Sequence, residues 1–272
     1  MAGKVSALSI IFMVVSCIAG FAIPVILFVF FRKKKKADIL PFFVGLGVML
    51  VFSLILEAIV HQIVLGSPVG DKIKSSIWLY ALYGGMMAGL FEETGRFLAF
   101  KTVLRKKNDN DINALMYGAG HGGFEAAYLL GQSMFNNIVF AILINSGSIF
   151  SITDRLSGDA LTQMEATIEA MVTTPSYSFL IGIMERLFAV VLQIALSVIV
   201  WFAAKNSKKW YLYPAAIIIH FTVDAVAVVL SQYQVPILAI EAVICIMAVL
   251  AVLFARMLWD KYSVSADLDE PE

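Results

Sequence analysis

Apolar residues in this chain fall into long runs, with polar residues gathered between them. Runs long enough to cross a bilayer as a helix, about 20 residues, lie near 5–31, 39–65, 77–103, 112–145, 178–204, 210–232 and 236–259. The pattern predicts an all-α polytopic membrane bundle of about seven transmembrane helices. The fourth run is too long for one straight span. Gly131-Gln132 and Asn136-Asn137 inside it predict a kink, or a span followed by a surface segment. The stretch 146–176 follows a different pattern. There Leu161, Met164, Ile168 and Met171 recur at three and four residues, with Asp159, Glu165 and Glu169 on other faces. This predicts a short amphipathic helix lying on the membrane surface. Residues 1–262 are expected to form a single transmembrane domain, and the acidic stretch 263–272 a disordered tail.

Composition removes several alternatives. Of 272 residues, 60% are hydrophobic and 15% charged, against about 45–50% and about 25% in a soluble domain. A soluble enzyme, a disordered chain and a disulfide-stapled secreted domain are excluded. The formal net charge is zero, which gives no reason to expect a nucleic-acid partner. Cys17 and Cys245 both sit inside apolar runs without a C-x-x-C pair, so neither a disulfide framework nor a cysteine metal site is expected. The basic cluster at 32–36 follows the first apolar run, the reverse of a cleaved signal peptide.

Charge distribution orients the spans. With 32–36 in the cytoplasm, alternation places the basic residues of 101–107 and 205–209, with Arg256 and Lys261, on the same side. The opposite side keeps Lys4, Lys72, Lys74 and Arg155. The positive-inside rule therefore puts the N-terminus outside and the C-terminus in the cytoplasm. Trp201, Trp210, Tyr211, Tyr213 and Trp259 mark the inner boundary, and Trp78, Tyr80, Tyr177 and Tyr233 the outer one.

Four spans carry ionisable groups where the bilayer is driest. The third has Phe91-Glu92-Glu93-Thr94-Gly95-Arg96, and the fourth Gly120-His121-Gly122-Gly123-Phe124-Glu125. The fifth has Glu185-Arg186, and the sixth His220-Phe221-Thr222-Val223-Asp224. Each charge at a helix centre costs roughly 2.5–3.5 kcal/mol on insertion scales. Left unpaired, the set would cost on the order of 20 kcal/mol, more than a typical protein's net stability. These groups must face one another or a wet cavity. Glu92/Arg96, His121/Glu125 and His220/Asp224 are i, i+4 pairs, each on one helix face and at similar depth. Glu57 and His61 form a further such pair on the second span. It lies nearer the outer edge, where polarity is cheap, and is set outside the site.

Peptide hydrolysis in a membrane needs a water, a base to activate it, and donors for the developing oxyanion. Two histidines and a carboxylate suit Zn²⁺ with an open position for water, which leaves a glutamate as base. Without metal, a glutamate and a histidine can polarise the water together. The same residues also suit a proton-coupled transporter, or a non-enzymatic immunity or binding protein that keeps them as a structural network.

At these residues the chain resembles a superfamily of intramembrane proteases that includes the CAAX prenyl endopeptidase and bacteriocin-immunity group, the PrsW proteases and the YhfC-like intramembrane metalloproteases. The resemblance rests on a double glutamate followed by a basic residue (Glu92-Glu93-Thr94-Gly95-Arg96), a Phe/His/Glu motif on the next helix (His121 to Glu125), and His-x-x-x-Asp (His220 to Asp224). It covers about residues 77–232, and the YhfC-like group fits best. Arg96 follows the first glutamate at +4, one residue earlier than in the CAAX group, and Asp224 stands where that group usually has asparagine. The resemblance implies an endopeptidase of metallo- or glutamate-type in a bacterial plasma membrane, acting on a membrane-embedded peptide or protein. It implies Glu92 as the water-activating base, with His121 and His220 as its partners or metal ligands. Glu93, Arg96, Glu125 and Asp224 would orient or neutralise these groups, and His121, His220 and Glu125 are the candidate zinc ligands.

Overall fold

The computed structural model describes residues 3–263; residues 1–2 and 264–272, and with them nearly all of the expected acidic tail, lie outside the described residues. The chain is helical, with no strand among the described residues. Its principal helices are α1 (Ala7–Lys34), α2 (Leu40–Leu65), α3 (Ile77–Lys101), α4 (Ile112–Ser146), α5 (Gly158–Thr173), α6 (Ser178–Lys205), α7 (Leu212–Gln232) and α8 (Ile237–Tyr262). Six of the seven expected spans, those of α1, α2, α4, α6, α7 and α8, are helices long and apolar enough to cross a membrane. The remaining one, α3, is 25 residues long. Glu92, Glu93 and Arg96 interrupt its apolar sequence, and it falls outside that group.

Two helices are locally wound more loosely. Met49–Glu57 of α2 and Ala127–Gln132 of α4 are π-helical. The second includes Gly131-Gln132, so the expected disturbance takes the form of an expanded turn in place of a break. π-segments of this kind are found frequently at functional sites.

The chain divides into two compact units, one of residues 1–23 and 126–187 and the other of 24–125 and 188–272. In the first, Val5, Met13, Ala141, Ile144, Ile149, Ile168, Met171 and Phe179 form the core. Two of its cross-links are neutral. Asn145 accepts from the Val5 amide at 2.8 Å and donates to the Val5 carbonyl at 3.0 Å. The Ser16 hydroxyl donates to the Phe179 carbonyl at 2.6 Å. The apolar stripe of α5 packs in part on this core. Ile168 and Met171 are buried within this unit and Met164 packs on the same core.

In the second unit, α6 is the central helix, with residues 195–203 all buried. Leu196, Ile199 and Val200 pack with Tyr117 of α4 and with Leu212 and Ala216 of α7. Close helix contact is set by glycine. A methyl group on Gly85 of α3 would lie 2.6 Å from the Phe221 carbonyl oxygen of α7, and one on Gly89 2.9 Å from that of Ile217. Small residues four apart let backbones approach closely, the usual means of joining helices in lipid. On α4, Gly118 and Gly122 admit α6 and Gly120 admits α2. The glycines around His121 thus bring three helices to its level.

Candidate active site

Glu92 and Glu93 are adjacent on α3, so they point in different directions and meet different partners. Glu93 is fully buried and holds Arg96 through both oxygens, at 2.9 and 2.8 Å. His220 Nδ1 of α7 lies 2.8 Å from Glu93 Oε1. A carboxylate engaged by a guanidinium is ionised and only accepts, so Nδ1 is the nitrogen that carries the hydrogen. Nε2 of the same ring lies 3.5 Å from Asp224 Oδ2 and 3.9 Å from Glu92 Oε2. One turn of α3 therefore fixes the aim of a histidine on another helix.

Glu92 Oε2 gathers donors. His121 Nε2 of α4 is 2.9 Å away, and the Gln193 amide of α6 donates from 2.8 Å. Gln193 also donates to Glu125 Oε2 at 3.0 Å, while its carbonyl accepts from Arg96 Nη2. The orientation of the amide is thereby forced, with oxygen toward the cation and nitrogen toward the carboxylates. His121 is fully buried beneath Tyr117, their rings stacked with centroids 5.9 Å apart. Its Nδ1 is buried without a hydrogen-bond partner among the described residues.

All seven site residues expected from sequence lie in the second unit, and α3, α4, α6 and α7 bring them into one network. Two of the i, i+4 pairings are replaced. Arg96 binds Glu93, three residues back, and not Glu92; His121 binds Glu92 and not Glu125. His220 and Asp224 do face each other, and the Asp224 side chain is 38% exposed. Glu185 and Arg186 lie in the first unit, where Arg186 pairs with Glu185.

Sequence reading missed two residues and set aside two more. Gln193 links Glu92, Glu125 and Arg96; a mid-span amide carries an insertion penalty like that of the charges and was legible on that ground. Ser53 of α2 lies 3.1 Å from Glu92 Oε1 and 3.0 Å from Glu57 Oε2. It ties the Glu57–His61 pair to the site. Ser53, Glu57 and His61 stand at a strict spacing of four, which was the available signal.

Zinc requires three protein donors converging on one point, with outer partners that orient the imidazoles. His220 has such a partner in Glu93. His121 Nε2 is engaged by Glu92, and its Nδ1 has no partner among the described residues. Glu125, the third expected ligand, accepts from Gln193. Among the described residues, no three His, Cys, Asp or Glu side chains are placed to hold a metal ion. The residues as arranged do not fit the expected zinc site of His121, His220 and Glu125.

Fold and site together define a multi-pass helical membrane protein with a buried glutamate–histidine centre. The chain belongs to the YhfC family: the family model described as YhfC intramembrane metalloprotease matches residues 19–248. It is 34% identical over 254 residues to a Bacillus subtilis (strain 168) protein named uncharacterized membrane protein YhfC, covering 91% of this chain and 95% of that one. No solved structure matches.

Proposed function

We propose that this chain is an intramembrane protease that hydrolyses a peptide bond of a membrane-embedded peptide or protein, with Glu92 activating the water. One observation carries the reading. Glu92 Oε2, His121 Nε2 and His220 Nε2 converge from three helices, and the 3.9 Å between His220 and Glu92 is beyond direct hydrogen-bond distance, so both can face one water. The family description as a metalloprotease agrees with a hydrolytic site. In this reading α3 crosses the membrane as a seventh span, with the N-terminus outside and the C-terminus in the cytoplasm of a bacterial cell.

Glu92 takes a proton from the water as its oxygen adds to the scissile carbonyl, then gives that proton to the departing nitrogen as the C–N bond breaks. His220, aimed by Glu93 and Arg96, holds the water through Nε2. His121 and Gln193 keep the Glu92 carboxylate in place. The substrate helix must unwind locally, because its own hydrogen bonds shield the amide.

The test is cleavage of a transmembrane peptide by the full chain in liposomes. Glu92→Gln should lower kcat by about 10²–10⁴-fold, the share of a general base, with unchanged folding. Activity unaffected by that change would overturn the assignment. Metal content is measured alongside: stoichiometric zinc in the wild type, lost in both His121→Ala and His220→Ala, would replace the side-chain mechanism with a metal-assisted one. The second reading is a proton-coupled transporter, favoured by the hydrogen-bonded run that continues from Glu92 through Ser53. Proton-driven flux abolished by His220→Ala, with no peptide cleaved, would establish it.

A further inference from the structure

The two oxygens of Glu92 face opposite ways. Oε2 meets the imidazoles, and Oε1 meets Ser53 Oγ at 3.1 Å. From Ser53 the contacts continue without a gap. Ser53 Oγ is 3.0 Å from Glu57 Oε2, Glu57 Oε1 is 3.2 Å from His61 Nε2, and His61 Nδ1 is 2.9 Å from the Tyr83 hydroxyl. The side chain of Glu57 is 9% exposed and that of His61 32%. The run thus leads out of the buried site to a partly exposed imidazole, four residues before α2 ends at Leu65. Its hydroxyl, carboxyl, imidazole and phenol members can each give one proton while taking another.

Ser53 has one hydroxyl hydrogen and stands within hydrogen-bonding distance of two carboxyl groups. With both ionised, a lone pair of Ser53 would face a carboxylate oxygen at close range with nothing between them. In surroundings of low dielectric that arrangement is costly. It is relieved when one carboxyl carries a proton, which it then donates to Ser53. The placement is also local to the π-helix Met49–Glu57, which carries both Ser53 and Glu57.

We propose that Ser53, Glu57, His61 and Tyr83 form a proton path that restores Glu92 after each turnover. The inference rests on the reading of Glu92 as the base. Peptide hydrolysis supplies the proton: the departing nitrogen leaves as a neutral amine, and the new carboxylic acid returns its proton to Glu92. Glu92 is then a base again only when that proton leaves. It passes from Glu92 to Ser53 Oγ as Ser53 passes its own hydrogen to Glu57. Glu57 hands one to His61 Nε2, and His61 gives the one on Nδ1 to the Tyr83 hydroxyl, which releases its own to water. One proton enters the run and one leaves it, with no net change in any carrier. Ser53 and Glu57 are positioning and relay residues that do not touch the scissile bond.

The experiment compares the full chain in liposomes with Ser53→Ala, Ser53→Thr and Glu57→Gln, using peptide cleavage and the infrared band of protonated carboxyl groups. Ser53→Ala and Glu57→Gln should lower kcat about tenfold or more, below the full loss of the base, with KM unchanged and a larger solvent deuterium isotope effect. Ser53→Thr, which keeps the hydroxyl, should restore the rate. In the infrared, Glu57→Gln should remove a protonated-carboxyl band that Ser53→Ala shifts and Ser53→Thr preserves. An unchanged kcat, or a loss that threonine does not rescue, would overturn the path while leaving Glu92 as base. If the wild type cleaves no membrane peptide, the protease reading fails separately, and the infrared comparison alone decides the path: a band indifferent to Glu57→Gln and Ser53→Ala rejects it.

Discussion

The two units bury different kinds of polarity. Among the described residues, the buried polar side chains of the first unit are Ser9 and Ser16, joined to neutral partners. Those of the second include Glu57, Glu92, Glu93, Arg96, Asp111, His121, His220 and Glu241. Neutral pairs cost little to desolvate and fasten helices adequately. Buried ions cost several kcal/mol each before any pairing, and apolar replacements are often as stable. Stability alone therefore explains the first unit and does not explain the second. The charges of the second unit call for a chemical reason.

Substitutions can sharpen that contrast. The largest effect is expected from Arg96→Met, which leaves the buried Glu93 carboxyl without its guanidinium partner. Breaking one side of a buried pair costs about 3–5 kcal/mol, read as a fall in midpoint when the purified protein is unfolded by denaturant. A double change, Arg96→Met with Glu93→Leu, should recover much of that loss while leaving His220 unaimed and the protein inactive. Recovery of activity along with stability would break the claimed distinction. In the first unit, Asn145→Ala removes both bonds to Val5 and should cost about 1–3 kcal/mol, with cleavage kinetics unchanged at temperatures where the protein stays folded. Ser16→Ala should cost about 0.5–1.5 kcal/mol by the same measurement.

The smallest effect belongs to Asp38, outside the spans. Asn113 donates to its carboxyl at 3.0 Å and Lys107 lies 3.2 Å away. The Asn113 hydrogen bond, aided by Lys107, holds the Asp38 carboxyl below its ordinary value of 3.8. The resulting stability is fully present above that ordinary value and is lost as pH falls through the lower folded value. Asn113→Ala should therefore narrow the difference in unfolding midpoint between neutral and strongly acidic solution, by a small amount because the site is solvated.

Much of this was legible in the chain. Run length located the spans, since a bilayer imposes one length on every crossing helix. Insertion cost located Glu92, Glu93, Arg96, His121, His220 and Asp224, because lipid tolerates no idle charge. Partner choice was not legible. Spacing placed Arg96 and Glu92 on one face, but it could not show that Gln193 and His121 would claim Glu92 and leave Arg96 to Glu93. That depends on how α4 and α6 rotate against α3, which the spacing along one helix does not contain. The case of Glu57 is similar. Its distance from the span centre argued for a local pair, and only the π-helical winding of α2 linked it inward.

That winding has a consequence for the length of α2 itself. A π-turn houses more residues per revolution than an α-turn, so the segment 49–57 sets the angular phase of everything after it. Deleting a single apolar residue there, Ile55 for instance, while the π winding persists would swing His61 around the axis. Hydropathy would hardly change, yet His61 would be turned away from Tyr83. In this part of the chain, spelling matters less than counting.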